Sequence, residues 1–192
     1  MALTYDDGPS DLTPGILDDL ASRRAAATFF TMGEKSARYG DLLRRMVAEG
    51  HLVENHSWNH PHLPDIPLDE ALRQIRDTTG AIEERTGERV TMFRPPYGEY
   101  TPEIVSGSGL PAILWDVDTF DWQGIDDDVL ISRAVEQARP GSIVLQHDIQ
   151  ANTARTAEEV YDGLLDRGFS LVTVAQLFGG RVPTSGAWRS GR

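Results

Sequence analysis

Two histidines four residues apart, His56 and His60, are the first candidates for chemistry in this sequence. On a helical turn, that spacing puts both imidazoles on one face. Two imidazoles and one carboxylate can hold a divalent ion and leave positions open for water. Asp6 or Asp7 can supply the carboxylate, because adjacent aspartates at the end of a strand point in different directions. The pattern predicts that one aspartate binds a metal ion and the other acts as a general base on water.

Further reactive side chains follow other apolar runs of the chain. Three groups stand at such positions: residues 94–98 (RPPYG), residues 116–122 (DVDTFDW) and residues 147–148 (HD). In parallel α/β folds, active sites collect at the carboxyl ends of the strands. We therefore expect these groups to meet the aspartates and histidines at one end of a sheet.

Four other residues have structural interpretations. His51 begins a predicted strand and is assigned a structural role, whereas His62, in a proline-flanked loop, is structural or lies at the rim of the site. Trp115 stands within a predicted strand and is expected in the core. Trp58, between the two metal-binding candidates, fits packing and substrate contact equally well.

The composition narrows the function classes. The chain has 192 residues, no cysteine and a formal net charge of -12 at pH 7. The absence of cysteine excludes disulfides, thiolate metal sites and cysteine nucleophiles. An acidic chain repels phosphate backbones, which argues against a nucleic-acid partner, and no apolar run reaches the length of a membrane span. No signal peptide is recognisable at Met1, and we expect a trimmed form of a longer protein.

Short apolar runs alternate with amphipathic ones along the chain. Strands are predicted at 2–5, 27–31, 51–53, 90–93, 112–115, 142–145 and from 171. Helices are predicted at 13–23, 41–49, 68–85, 102–106, 127–138 and 153–166, and a last helical turn extends to 177. Thr13 is the expected N-cap of the first helix. Such alternation implies parallel strands with right-handed crossovers. We predict one α/β domain over 1–180, a distorted, incomplete (β/α) barrel with about seven parallel strands; an open doubly wound sheet is the alternative. Residues 181–192 are expected to be a loosely ordered tail with a vector-derived end.

Five sequence blocks, in order along nearly the whole chain, resemble those of the polysaccharide deacetylases, the family 4 carbohydrate esterases with a NodB-like domain. The blocks are Thr4-Tyr5-Asp6-Asp7-Gly8-Pro9, His56-Ser57-Trp58-Asn59-His60, Arg94-Pro95-Pro96-Tyr97-Gly98, Asp118-Thr119-Phe120-Asp121-Trp122 and Leu145-Gln146-His147. The departure from the family pattern is Tyr5, where Phe is more usual. This residue precedes the aspartates and is expected to face the core.

The resemblance implies a role for each matching polar residue. The metal ligands that it implies are Asp7, His56 and His60. Asp6 would be the general base, held by Arg94. His147 would be the general acid, held by Asp121, because an amine leaves an amide badly unless it is protonated.

The resemblance also implies how the substrate is held and what it is. The backbone N–H of Tyr97 would help form the oxyanion hole, and Trp122 and Leu145 would wall the pocket for the acetyl methyl group. The implied reaction is metal-dependent removal of acetyl groups, above all N-deacetylation of N-acetylglucosamine in chitin or chitooligosaccharides, with O-deacetylation of acetylxylan as a further activity. Zinc is the implied metal, and cobalt or nickel are alternatives. A secreted monomer that acts on a polysaccharide or oligosaccharide is expected.

Several alternatives stay open. Within the family, the chain could be a peptidoglycan N-acetylglucosamine deacetylase or a dedicated acetylxylan esterase. Non-haem iron oxygenases also use two histidines and one carboxylate, but usually on β-rich folds. A non-catalytic carbohydrate-binding domain could keep the fold, and a hydrolase of non-sugar amides would share the metal site without needing Trp122 and Tyr97.

Overall fold

The computed structural model describes all 192 residues and shows an α/β fold. The strands are β1 (Ala2–Asp6), β2 (Ala27–Thr31), β3 (Leu52–Asn55), β4 (Ala112–Ile113), β5 (Val117–Asp118), β6 (Ile143–His147) and β7 (Ala187–Trp188). The α-helices are α1 (Thr13–Ser22), α2 (Gly33–Arg38), α3 (Gly40–Ala48), α4 (Leu68–Thr86), α5 (Pro102–Ser108), α6 (Asp127–Glu136), α7 (Ala151–Asp166) and α8 (Val174–Leu177). No helix combines the length and the apolar character needed to cross a membrane.

The strands form a five-stranded parallel sheet in the order β3-β2-β1-β6-β5 and a two-stranded parallel sheet of β4 and β7. Single bridges from Phe93 to Asn55 and to Ala112 connect the two sheets. This arrangement agrees with a distorted, incomplete barrel, and the α/β prediction is confirmed. The carboxyl ends of β1, β3, β5 and β6 therefore lie at one end of the fold.

Strand β1 separates the main core from the interior of the barrel, because alternate side chains point to opposite faces. Leu3 and Tyr5 belong to the main core, which the strands share with helices α1, α3, α6 and α7. The hydroxyl of Tyr5 is 2.5 Å from that of Tyr161, so both buried hydroxyls are partnered. Thr4 and Asp6 point the other way, and both hydrogen-bond the buried Arg94. The expectation that Tyr5 faces the core is confirmed.

Two of the predicted strands are reduced to single bridges. The predicted strand at 90–93 pairs only through Phe93, because the Glu54 carboxylate accepts the N–H groups of Thr91 and Met92 in place of a neighbouring strand. The predicted strand from 171 pairs only through Val172, with Ala2. Conversely, β5 and β7 were not predicted, since a strand of two residues leaves almost no pattern in the sequence.

The helices differ from the prediction in two respects. No helix was predicted at α2, because its six residues are too few for an amphipathic pattern. Thr13 is the first residue of α1 and not its N-cap, which is Leu12. The Thr13 hydroxyl instead accepts the N–H of Ser10 and donates to the carboxylate of Asp148.

The tail contacts the barrel through a few residues, although most of its side chains are exposed. Ala187 and Trp188 pair with β4 as strand β7. The Trp188 ring packs edge-on against Phe178, and the Arg192 guanidinium lies 2.5 Å from Asp116. The boundary at residue 180 and the origin of the last residues stay predictions.

Candidate metal-dependent active site

A cavity of about 420 Å³ opens at the carboxyl ends of the strands. Its walls are formed by Asp6, Asp7, His56, His60, Tyr97, Trp115, Asp118, Trp122, Leu145 and His147. The cavity therefore brings together side chains from all five of the motif-bearing segments. Arg94 and Asp121 lie directly behind it, in contact with Asp6 and His147 respectively.

The two histidines lie on a loop after β3 and not on the helical turn that their spacing suggested. Ser57 and His60 adopt left-handed conformations, with φ of 62° and 61°. The Asn55 side chain accepts the N–H of Ser57 at 2.8 Å, and the Ser57 hydroxyl accepts the N–H of His60 at 3.2 Å. These bonds help to hold backbone that non-glycine residues rarely adopt. The result is the convergence of both imidazoles on Asp7.

Gly33 and Glu34 hold this loop through backbone hydrogen bonds. The N–H of Gly33 donates to the carbonyl of Ser57 at 3.0 Å, and the N–H of Glu34 donates to that of Trp58 at 3.2 Å. A Cβ at Gly33 would lie 2.3 Å from the Trp58 ring and 2.5 Å from the Thr78 hydroxyl. The side chain of Trp58 is therefore a packing element beneath the site.

Gly33→Ala is expected to destabilise the protein by about 1–3 kcal/mol, because a rigid ring must move to admit the methyl group. Urea unfolding monitored by far-UV circular dichroism measures the change. Gly80→Ala is the matched control: a Cβ there meets nothing within 4 Å, so a small stabilisation of up to about 1 kcal/mol is expected. Equal stability of both variants and the parent would show that Trp58 is not held in this way.

The ligand atoms of Asp7, His56 and His60 fit a divalent ion. One atom from each residue lies within 4.8 Å of the others. The Oδ1 atom of Asp7 is 3.3 Å from Nε2 of His56 and 3.4 Å from Nε2 of His60. This Oδ1 atom is buried and accepts no hydrogen bond within the protein, so a cation would satisfy it. Two nitrogens and one oxygen are a donor set suited to Zn²⁺ and similar ions.

The surroundings of His56 prepare it as a ligand. Its Nδ1–H donates to the carbonyl of Arg94 at 2.7 Å, which leaves Nε2 free to face Asp7. Burial lowers the pKa of His56, but Asp6 and Asp7 outweigh burial and raise it overall. Burial opposes ionisation of Asp7, yet His56 and the other two histidines of the cavity lower its pKa well below the usual range. The local field therefore favours a positive charge between these groups.

Arg94 anchors Asp6 from within the barrel. Its guanidinium is fully buried and donates to Asp6 at 2.8 Å and to the Thr4 hydroxyl at 2.7 Å. Further bonds run to the carbonyls of Ile113 and Leu114. Because the arginine is held at several points, the Asp6 carboxylate has one fixed orientation at the cavity wall.

Asp121 holds His147 at two atoms. The imidazole Nδ1–H and the backbone N–H of His147 both donate to the Asp121 carboxylate at 2.7 Å. The Thr153 hydroxyl donates to Asp121 at 2.5 Å, and Asn152 donates to its carbonyl at 3.0 Å. Burial lowers the pKa of His147, but Asp121, with Asp6 and Asp7, raises it to about 9. The imidazolium form is therefore favoured at neutral pH.

Asp121→Asn is expected to shift the alkaline limb of the kcat profile from near pH 9 toward the ordinary histidine value of 6.5. The reason is that the amide removes the negative charge that keeps His147 protonated. The loss of kcat grows as the pH rises and is expected to reach about tenfold or more at pH 8. A pH profile of kcat and an NMR titration of His147 check the shift. An unchanged alkaline limb would contradict the role of Asp121 in keeping His147 protonated.

Aromatic and apolar side chains complete the cavity wall. Tyr97 has φ of 59°, and its backbone N–H has no acceptor within the protein. Trp122 is 52% exposed at the rim, and Leu145, in the middle of β6, lines the cavity. Trp115, expected in the core, is half-buried: it packs against the core cluster that contains Phe30 and Ile113, and it also lines the cavity, because β4 ends at Ile113.

The remaining histidines differ in exposure. His51 is buried, its Nδ1 accepts the N–H of Ala27 at 3.1 Å, and burial lowers its pKa to about 4. Its structural role is therefore confirmed. His62 lies at the rim, where its ring stacks on Tyr97 at 3.8 Å and its Nδ1–H donates to Glu99.

Sequence reasoning missed several supporting residues. Asn152 and Thr153 contact Asp121 but belong to no motif, and Thr4, which stands in the first block, was given no role although it contacts Arg94. Asn152 and Thr153 lie in the first turn of α7, just after His147, and polar residues next to a strand end were the available signal. Asp148 was noted only as the neighbour of His147.

Comparisons with known proteins show which family the chain belongs to. Residues 1–108 match the family model described as polysaccharide deacetylase. The chain belongs to this family. Peptidoglycan-N-acetylmuramic acid deacetylase PdaC of Bacillus subtilis is 43% identical over 178 residues, covering 92% of this chain and 38% of the relative. A solved structure of PdaC superposes with a TM-score of 0.90, over 93% of this chain and 89% of that one.

Two other members of the polysaccharide deacetylase family have different named substrates. Peptidoglycan-N-acetylglucosamine deacetylase PgdA of Listeria monocytogenes is 38% identical, covering 95% of this chain and 39% of the relative. A chitooligosaccharide deacetylase of Sinorhizobium fredii is 35% identical, covering 91% of this chain and 89% of the relative. The chain thus spans about two fifths of the length of PdaC and PgdA. The family prediction is confirmed. Because the members of this family are hydrolytic deacetylases, the alternative of a non-haem iron oxygenase has no support.

Proposed function

We propose that the protein is a metal-dependent deacetylase that hydrolyses the acetamido group of N-acetylglucosamine in oligomers or polymers. The observation that carries the proposal is the pairing of β1 with β6, in which Asp6 and His147 are register partners beside the Asp7, His56 and His60 cluster. The residues proposed as base, acid and metal ligands therefore share one cavity. Hydrolysis of an amide by a metal-activated water uses all three.

The metal would be held by Asp7, His56 and His60. A divalent ion there supplies Lewis acidity, which polarises the acetyl carbonyl and lowers the pKa of water toward about 7. Zinc is the first choice for this donor set, and cobalt or nickel are alternatives.

The chain's own residues move the protons. Asp6, oriented by Arg94, accepts a proton from the attacking water as the new carbon–oxygen bond forms. The N–H of Tyr97 donates to the oxygen that becomes negative. His147, protonated and held by Asp121, gives its proton to the nitrogen as the carbon–nitrogen bond breaks. The carbon–nitrogen bond breaks to give acetic acid and the amine, and at neutral pH the carboxyl proton passes to the amine through solvent, so that acetate and an ammonium group leave. The proton taken up by Asp6 passes through solvent to His147 and restores both groups.

The cavity suits a small acyl group on a neutral sugar. Trp122 and Leu145 offer an apolar wall for the acetyl methyl group, and the exposed ring of Trp122, with the part of Tyr97 that His62 leaves uncovered, offers contact to sugar rings. No lysine or arginine lines the cavity, whereas N-acetylmuramic acid carries a carboxylate that a cation would recognise. We therefore favour N-acetylglucosamine over N-acetylmuramic acid, and chitooligosaccharides or cell-wall glycan outside the cell as its source. O-acetyl groups of xylan are a further candidate substrate. The same site can cleave them, because an alkoxide leaves more easily than an amine.

The test is acetate release, measured in parallel from chitooligosaccharides, peptidoglycan and acetylxylan by protein reloaded with Zn²⁺. We expect release from N-acetylglucosamine units and little from N-acetylmuramic acid units, which mass spectrometry of the digested glycan distinguishes. Release from muramic acid units alone would reject the proposed substrate. Release from acetylxylan alone would make the protein an esterase.

A further inference from the structure

Asp148 is a buried carboxylate that the proposed reaction does not use. It directly follows His147 and is fully buried. Its Oδ2 accepts the Thr13 hydroxyl at 2.6 Å, while its Oδ1 is buried without a hydrogen-bond partner. Burying a carboxyl group with one oxygen unpartnered costs free energy.

The Asp148 carboxylate lies directly against Gly8, the residue after Asp7. A Cβ placed on Gly8 would be 2.0 Å from Oδ1 and 2.1 Å from Oδ2 of Asp148. The carboxylate therefore fills the space that any side chain at position 8 would need. The backbone carbonyl of Asp148 also accepts the Ser10 hydroxyl at 2.6 Å. The turn from Asp7 to Thr13 is thus attached to the end of β6 through side chain and backbone.

Asp7 requires such support because its backbone is left-handed, with φ of 70°. A non-glycine residue in this region costs of the order of 1–3 kcal/mol and persists only where its surroundings hold it. On the other side of the turn, the carbonyl of Gly8 accepts the N–H of Met32. Asp148 and Met32 therefore enclose the segment that carries the aspartate of the metal cluster.

The geometry points to Asp148 as a positioning residue that holds the Asp7–Gly8 turn in register with His147, so that the metal ligand and the general acid keep a fixed separation. The part of this inference that concerns catalysis rests on the proposed function, whereas the part that concerns metal binding does not. Residues that orient ligands typically change metal affinity or activity about 10–100-fold when they are mutated.

The first experiment titrates Zn²⁺ into metal-free protein by calorimetry, for D148A, D148N, T13V and the parent. D148A is expected to weaken Zn²⁺ binding about 10–100-fold and to lower kcat with KM unchanged. D148N should stay within about threefold of the parent, because it keeps the shape and an oxygen to accept the Thr13 hydroxyl. D166N, at an exposed position on α7, controls for loss of one negative charge.

A double variant tests the contact itself. G8A should weaken Zn²⁺ binding because its methyl group meets the Asp148 carboxylate. In the D148A background the same change should cost little, since the space is then free, and the two effects should not add. Additive losses would show that Gly8 and Asp148 act independently and would overturn the inference.

The remaining outcomes are also decisive. D148A that loses thermal stability but keeps Zn²⁺ affinity and kcat would reduce Asp148 to an ordinary core residue and overturn the inference. If D148A does not fold, T13V decides: weakening of Zn²⁺ binding by about threefold or more supports positioning through the turn, and unchanged binding rejects it. A parent that binds Zn²⁺ and releases no acetate would reject the proposed function while leaving the metal half of the inference to these titrations.

Discussion

Asp6→Asn is expected to lower kcat for deacetylation of chitooligosaccharides by about 10²–10⁴-fold, with Zn²⁺ affinity retained. The amide keeps the size of the carboxylate and can still accept from Arg94, which donates at 2.8 Å. It cannot take a proton from the attacking water. Asp6 lies 3.7 Å from Nε2 of His56, outside the cluster that Asp7 forms with the histidines, so metal binding should survive.

Acetate release under saturating substrate and calorimetric titration of Zn²⁺ together test this prediction. Asp128→Asn, at an exposed position on α6, is the control for the lost charge. Near-parental kcat in Asp6→Asn would remove Asp6 as the base. A parent that binds the oligosaccharide without turnover would instead favour a non-catalytic carbohydrate-binding domain.

His147→Gln is expected to separate amide from ester substrates. For N-acetylglucosamine oligomers, kcat should fall by about 10²–10⁴-fold, because the amine must be protonated as it leaves. For an aryl acetate, whose leaving group needs no proton, the loss should stay below about tenfold. The difference isolates proton donation from damage to the rest of the site, since a general loss of metal or shape would lower both rates.

Parallel assays of the two substrate classes at one pH give this ratio directly. Zn²⁺ affinity of His147→Gln, measured alongside, should equal that of the parent, because His147 is not one of the clustered ligands. Equal losses on amide and ester would contradict the role of His147 as acid and would point to a positioning role.

The sequence predicted which residues meet in the cavity, because most of them follow strands. Asp6, His56 and His147 each stand at or just after the end of a strand, and parallel strands bring those ends together. The family resemblance then separated the role of Asp6 from that of Asp7, which spacing alone had left open. The fold followed from the same alternation of short apolar and amphipathic runs.

Other features could not be predicted because they depend on tertiary contacts. The left-handed backbone of Ser57 and His60 is held by neighbouring side chains, so the spacing of the histidines wrongly suggested a helical turn. The segment 90–93 has the composition of a strand, but Glu54 takes its N–H groups. The contact of Asp148 with Gly8 joins positions far apart in the chain and leaves no periodic signal.

If deacetylation needs one metal ion at Asp7, His56 and His60, a titration of metal-stripped protein with Zn²⁺ shows it most directly while acetate release from chitooligosaccharides is followed. We expect no release without metal and a linear rise that ends at about one equivalent, with His60→Ala shifting the curve to much higher Zn²⁺. Full release by the stripped protein, or a titration that His60→Ala leaves unchanged, would contradict it.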